Sequence, residues 1–586
     1  MPSALPAASV SARIAEVLAH HVTDVFGLMG NGNAHLVDAF ARTRVRYTAV
    51  RHEVATVASA DAYYRVSRRP AVATTTYGAG YTNAMTSLAD ARMSGSALVL
   101  VVGDAPTTGL RPWDVDQAAM AAAMGVKTFT VDAERPGAIA LEALRHAVVE
   151  RTPVVLAIPY DLPAAPAGEE SLDLDEAIVP VPVVPESRAL DQVAQLLAKA
   201  ERPVILAGRG ARHAIDELSR LADELGAITA STAPARGGFA HRTLDVGVSG
   251  GFSSERAIEL LGQADVVLAV GAGLNQFTMG FGRLYPEDAE FIQIDELEGP
   301  THPQVTRYVR GDAELAAREL LDRVQRATER AAQTWAGVDP EYVKGAQKDR
   351  HPGEQAAKDG RLDPRSVMVA LDRMLPADRL VVTDGGHFIG WPNTYLDLPK
   401  PDSIVMVGTA YQSIGLGFSS APGATVADPD RTLVLVSGDG GGLMAIADLD
   451  STVRAAKRAV IVVVNDMAYN AEITQYGTIG LDKGAMLIDE VDFATFAKAV
   501  GAEGLVIRKL AELDQLETWL AEHETGTLLL DCRVSMDVVA PYQEEIMGNL
   551  RRALGIDEGE LEALQDGDAE PEASAEVEPD HAVAPN

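Results

Sequence analysis

Residues 432–472 read TLVLVSGDGGGLMAIADLDSTVRAAKRAVIVVVNDMAYNAE. An apolar, β-branched run ends in Ser437-Gly438-Asp439-Gly440-Gly441-Gly442, a helical stretch follows, and a second apolar run ends in Asn465-Asp466. Two buried strands joined by a helix are the mark of a parallel βαβ unit. The carboxyl ends of such strands face the ligand crevice of an open sheet. Asp439 and Asp466, one after each strand, are therefore expected at one edge. Consecutive glycines let backbone amides approach an anion at a helix start. Magnesium takes a few protein oxygens together with phosphate oxygens, and this edge would supply them. Alone, Gly-Asp-Gly reads as an ordinary strand-to-helix turn; the second acid gives the pattern its weight.

The same alternation extends in both directions. Residues 380–383 and 526–531 are further strand-like runs of this unit. A middle unit has runs at 203–207, 266–270 and 291–294. A first unit has them at 71–76, 97–102 and 153–158, with amphipathic stretches at 53–65 and 82–91. The chain of 586 residues is too long for one core. The expected fold is α/β: three consecutive parallel-sheet α/β domains at 1–165, 187–335 and 360–545. The Pro-rich, acidic stretch 161–186 and the polar stretch 341–365 read as exposed connectors. No sequence repeat stands out. After Arg552 there is no further Lys or Arg, and 557–586 reads as a disordered acidic tail.

The net charge of -34 argues against nucleic acid or an anionic membrane as partner. With one cysteine, Cys532, neither a disulfide framework nor a cysteine zinc site is available within the chain, and Cys532 reads as a small buried hydrophobe. No basic region followed by a long apolar run opens the sequence, and apolar runs are too short to span a membrane. A cytoplasmic location is the expectation.

The spacing of Asp439 and Asp466 resembles the signature of thiamine diphosphate enzymes, in the acetolactate synthase-like and 2-oxo acid decarboxylase group. The resemblance implies a magnesium ion on the cofactor's diphosphate, held by Asp439, Asp466 and the carbonyl of Ala468. Gly438, Gly440, Gly441 and Tyr469 would line the cofactor. Asp466 stands where Asn is common. Far upstream, Arg51-His52-Glu53, followed by VATVASADAYYRVSRRPAVATTTYGAGYTNAMTSLADA, resembles the group's pyrimidine-binding domain. Glu53 is then the acid that bonds N1′ of the aminopyrimidine and favours the tautomer able to take the proton from C2. Read locally, Glu53 is a helix-start carboxylate. Ala410-Tyr-Gln-Ser-Ile414-Gly-Leu-Gly resembles the segment that bends the cofactor, with Ile414 as the wedge and the Gln412 carbonyl facing the 4′-amino group. The resemblance covers about 11–543, and the third domain would bind the diphosphate.

Four further residues are candidates near the reacting carbon. Asn31, in the turn after the first strand, can bond a substrate oxygen but cannot act as acid or base; a turn-forming role is the alternative. Gln117 resembles the active-site Gln of acetolactate synthases, although Asp116 replaces the usual neighbouring Phe. Glu472 matches a catalytic Glu of pyruvate decarboxylases. His387, in Asp384-Gly-Gly-His387, has an ordinary value near ~6.5 and could shuttle protons. The middle unit has a dinucleotide-like pattern around Gly208 and Gly271; FAD is possible but not favoured. The resemblance implies a carboligase or decarboxylase acting on a small 2-oxo acid such as pyruvate. The alternatives are a 2-hydroxyacyl-CoA or 2-hydroxyketone lyase and an inactive regulatory relative. A homodimer or homotetramer is expected.

Overall fold

The computed structural model describes residues 8–327 and 334–554, so the expected acidic tail lies outside the described residues. Three six-stranded, all-parallel sheets follow one another along the chain. The first holds β1 (Asp24–Gly27), β2 (Arg46–Ala49), β3 (Ala71–Thr75), β4 (Leu98–Asp104), β5 (Lys127–Thr130) and β6 (Pro153–Pro159). The second holds β7 (Pro203–Ala207), β8 (Ile228–Ser231), β9 (Asp245–Val248), β10 (Val266–Val270), β11 (Glu290–Asp295) and β12 (Arg307–Arg310). The third holds β13 (Arg379–Thr383), β14 (Ile404–Met406), β15 (Thr432–Gly438), β16 (Arg458–Asn465), β17 (Glu503–Ile507) and β18 (Gly526–Arg533). Central strands such as β7, β10, β13 and β15 are buried along their whole length. Helices cover both faces of a parallel sheet, so such strands read as unbroken apolar runs rather than alternating ones.

The first sheet runs β2-β1-β3-β4-β6-β5 and the third β14-β13-β15-β16-β18-β17, the same order in two places. Each reverses direction beside its first strand, between β1 and β3 and between β13 and β15. The second runs β12-β11-β10-β7-β8-β9, the dinucleotide-fold order, with its switch between β7 and β10.

The helix Glu53–Ser67 lies against the helix Gly417–Ala427 of the third domain. Ser59 Oγ donates to the Ser419 carbonyl at 2.8 Å, and a Cβ on Gly423 would sit 1.7 Å from the Ser59 carbonyl oxygen. Ala58 and Ala62 accordingly join the apolar core on one face of the third sheet.

The structure departs from the sequence reading at three places. Stretch 161–186 forms no helix or strand yet wraps the first domain. Leu162, Leu172, Leu174 and Ile178 pack on its core, and the Glu170 carboxylate accepts from the Gly137 and Ala138 amides. The stretch from 341 is not wholly a connector: it begins inside a helix, Pro340–Lys344, and buries Val343 and Ala346 in the second core. The single amphipathic stretch at 82–91 is two helices, Ala79–Asn83 and Met85–Met93. Cys532 is fully buried on β18, and burial raises its thiol far above the usual range.

Candidate active site

Asp439 opens the short helix Asp439–Met444 at the end of β15, and Asp466 follows β16. Both are buried. Gly440 N donates to Asp439 Oδ1 at 2.9 Å, and the Met467 and Ala468 amides are directed at the same carboxylate. Asp439 Oδ2 is buried without a hydrogen-bond partner. Asp466 Oδ2 accepts from Asn470 Nδ2 at 2.9 Å. Burial pushes Asp439 up to about 6; burial, then the charge of Asp439, pushes Asp466 up to about 8. Among the described residues neither carboxylate has an ion pair. Two buried acids facing one another, one with an open oxygen, are what a divalent cation satisfies. No group of three or more His, Cys, Asp or Glu side chains is placed to hold a metal among the described residues, so the remaining ligands would be backbone, water or phosphate oxygens.

Local backbone makes this possible. Met467 adopts a left-handed φ of 61°, and the chain doubles back so that Ala468 sits in an antiparallel bridge with Leu487. The bridging bonds run from Ile488 N to the Met467 carbonyl and from Tyr469 N to the Met486 carbonyl, so the bridge does not use the Ala468 carbonyl. The glycines are sterically required: a Cβ on Gly440 would lie 2.6 Å from the Tyr469 ring, and one on Gly441 2.6 Å from Asp384 Oδ2.

The loop 407–416 crosses the same crevice. Gln412 is exposed with a φ of 55°. Ile414 is half-buried, its Cγ2 3.1 Å from where Gly385 would carry a Cβ. At the switch of the first sheet, Asn31 Nδ2 donates to Tyr77 Oη at 3.1 Å, joining the turns after β1 and β3. Glu53, half-buried, begins its helix after β2, and its Oε2 accepts from Asn83 Nδ2 at 3.0 Å.

Gln117 and His387 sit differently from the sequence reading. Gln117 is buried, its Oε1 accepting from Gly78 N at 2.7 Å and its Nε2 donating to the Gly103 carbonyl at 2.9 Å. Its amide is spent on fixing two turns. His387 is not a solvent-facing shuttle: it is 5% exposed, and burial pushes it down to about 4. Its Nε2 accepts from Ala540 N at 2.9 Å, which places the proton on Nδ1, a buried donor without a partner. Glu472 is exposed on the short helix Asn470–Gln475, which the C-terminal helix Pro541–Leu554 contacts through Gln543 and the Ala471 carbonyl. Sequence reasoning missed Asp384, fully buried at the end of β13, and Asp90. Asp384 follows a strand and precedes glycines, the signal that singled out Asp439; Asp90 carries no such mark.

Three family models match in succession: the thiamine pyrophosphate enzyme N-terminal TPP binding domain over residues 8–128, the central domain over 190–320, and the C-terminal TPP binding domain over 384–532. The chain belongs to the thiamine pyrophosphate enzymes. It is 28% identical to a sulfoacetaldehyde acetyltransferase of Castellaniella defragrans, over 85% of this chain and 88% of that one. It is 27% identical to an acetolactate synthase large subunit of Parasynechococcus marenigrum, over 83% and 81%. A thiamine diphosphate-dependent 4-hydroxybenzoylformate decarboxylase of Rhodococcus jostii RHA1 shares the fold, with a TM-score of 0.74, 22% identity, and coverage of 90% of this chain and 99% of that one.

Within this thiamine pyrophosphate enzyme the third-sheet crevice fits a diphosphate–cation pair, on the evidence of the unpartnered Asp439 oxygen and the glycine cradle. In the middle domain the glycines at the corresponding edge pack on backbone instead. At its switch, Gly208 and Gly210 pack backbone to backbone on Gly271, a Cβ on Gly208 lying 2.1 Å from the Gly271 carbonyl oxygen. No helix among the described residues is long and apolar enough to cross a membrane.

Proposed function

We propose that the chain is a magnesium-dependent carbon–carbon lyase or ligase that decarboxylates a small 2-oxo acid such as pyruvate, then protonates the remaining acyl unit or passes it to an acceptor carbonyl. The observation that carries this reading is the buried Asp439–Asp466 pair with its open oxygen, in a chain that also keeps Glu53. Bound thiamine diphosphate supplies a nucleophilic carbon, C2, and a sink for the electron pair of the broken bond. Asp439, Asp466 and the Ala468 carbonyl would hold magnesium against its diphosphate. Glu53 would hold a proton at N1′, and the Gln412 carbonyl would accept from the 4′-amino group above Ile414. Asn31, tethered to Tyr77, offers an amide to a substrate oxygen, and the exposed Glu472 can move a proton at the reacting carbon.

Assembly is part of the proposal. Met29, Leu110, Trp113, Val115 and Tyr160, all beyond carboxyl ends of first-sheet strands, are exposed, as are Tyr411, Met444, Tyr476 and Leu487 beyond those of the third. Large apolar side chains gathered on two edges suit an interface. A homodimer in which the first domain of one chain faces the third of another would cover both and bring a Glu53 to each metal pair.

The test is turnover of cofactor-loaded protein on a panel of 2-oxo acids, alongside sulfoacetaldehyde. Carbon dioxide release from any 2-oxo acid supports the proposal. A second reading, in which sulfoacetaldehyde loses its sulfonate group as sulfite and the resulting acetyl unit passes to an acceptor nucleophile, is favoured by several relatives named sulfoacetaldehyde acetyltransferase; consumption of that aldehyde with release of sulfite and without action on 2-oxo acids would establish it. Calorimetric titration of thiamine diphosphate with and without EDTA tests the metal, and equal affinity in both would remove it.

A further inference from the structure

The loop 407–416 joins β14 to the helix Gly417–Ala427 and carries Gln412 and Ile414 in a costly backbone. Gly408, Gln412 and Gly415 have φ of 98°, 55° and 83°, and the left-handed region is unfavourable for Gln412. Two buried carboxylates hold this shape. Asp384, of the loop's own domain, accepts from Gly415 N at 2.9 Å and Leu416 N at 3.2 Å. Asp90, of the first domain, accepts from Gly408 N at 2.9 Å and Tyr411 N at 3.0 Å. Gln412 and Ile414 lie between the two clamps.

Asp90 is itself fixed. Arg65 Nη2 bonds Asp90 Oδ2 and Asp61 Oδ2, each at 2.6 Å, and Ser94 Oγ at 2.7 Å; Nη1 donates to the Met406 carbonyl at 2.7 Å. Asp61 and Asp90 are fully buried and Arg65 is nearly so. A buried ion network adds little net stability over apolar packing, and the helix pair Glu53–Ser67 and Gly417–Ala427 already packs these domains together. What the network adds is position: the charges of Asp90 end on two backbone amides flanking the strained residues.

We propose that Asp90, oriented by Arg65, is a positioning residue that presets the Gln412–Ile414 loop for the bend of thiamine diphosphate before the cofactor binds. This rests on the cofactor-facing roles given to Gln412 and Ile414 above.

The test separates the two ends of the cofactor in the full-length protein. Asp90→Asn keeps size but removes the charge and one acceptor, and Arg65→Lys loosens the support. Each should weaken thiamine diphosphate by at least about tenfold, as when the competent loop falls to about a tenth of the population. Affinity for magnesium with inorganic diphosphate should be unchanged. Equal loss on both ligands marks a merely structural role and overturns the proposal, as does no loss on either. Combined with Ile414→Ala, Asp90→Asn should be non-additive on thiamine diphosphate affinity; strict additivity counts against the link. Should the variants fail to fold, the parent decides: the Gly408 and Tyr411 amides should be protected from hydrogen exchange before cofactor is added, and free exchange until it is added overturns the proposal. A parent that binds no thiamine diphosphate overturns the cofactor assignment and this proposal together; normal binding by parent and variants overturns this one alone.

Discussion

Glu53 and Glu472 are two carboxylates with different tasks, and their substitutions should separate them. Glu53→Gln should leave thiamine diphosphate affinity largely intact but abolish hydrogen–deuterium exchange at C2, followed by NMR. Glu472→Gln should keep that exchange while turnover on the best substrate falls by about 10²-fold or more; unchanged turnover would leave Glu472 a helix-start carboxylate. Asp466 gives a pH signature in the cofactor-free protein. Its folded value of about 8 lies above the ordinary 3.8, so the folded state binds more protons than the unfolded between those limits. The stability Asp466 contributes is present below that window and lost as pH rises through it. His387, pushed down from 6.5 to about 4, acts oppositely, losing stability as pH falls. Asp466→Asn should therefore melt higher than the parent at about pH 8, with the gain shrinking toward about pH 5; a constant difference would show that Asp466 does not titrate there. Legibility at this scale followed strand ends. Asp439 and Asp466 adjoin strands whose carboxyl edges are predictable, Glu53 was singled out by resemblance alone, and Asp90 matters through amides more than 300 residues away, a contact no local pattern announces.

At the scale of elements, apolar runs located the central strands to within a residue or two, because buried parallel strands look alike. The helix Gly417–Ala427 was not legible. Its sequence GFSSAPGATVA contains Pro422 and two glycines, and nearly every residue is buried, so no polar face sets a period. Its glycine is instead a contact device. With the Ser59 carbonyl oxygen 1.7 Å from where a Cβ would stand, Gly423→Ala must push the two helices apart, at a cost of about 1–3 kcal/mol or more. A lowered thermal midpoint should follow. A midpoint equal to the parent's would mean that the helices separate freely, and that the domains are held together elsewhere.

For the whole molecule, three α/β units in series followed from length and alternation, while the equal strand order of the outer two did not, because topology depends on crossovers rather than on composition. The exposed apolar side chains on both outer sheets lead to an expected mass of at least twice the chain by light scattering. Trp113→Asp, placing a charge on that edge, should shift the species toward monomer with loss of turnover; a fully active monomer would count against a shared site. The equal strand order also bears on how the chain refolds. A polypeptide holding two frameworks of one topology has two surfaces on which a helix of either domain can settle, and multidomain chains of this kind misassemble. Only the native docking gives Arg65 the Met406 carbonyl and Asp90 its two amides. A wrong docking keeps the ion pairs but leaves Asp90 without its amides and Arg65 without its carbonyl, at about 1–3 kcal/mol for each group buried unsatisfied, so the network that shapes the loop also disfavours errors of assembly.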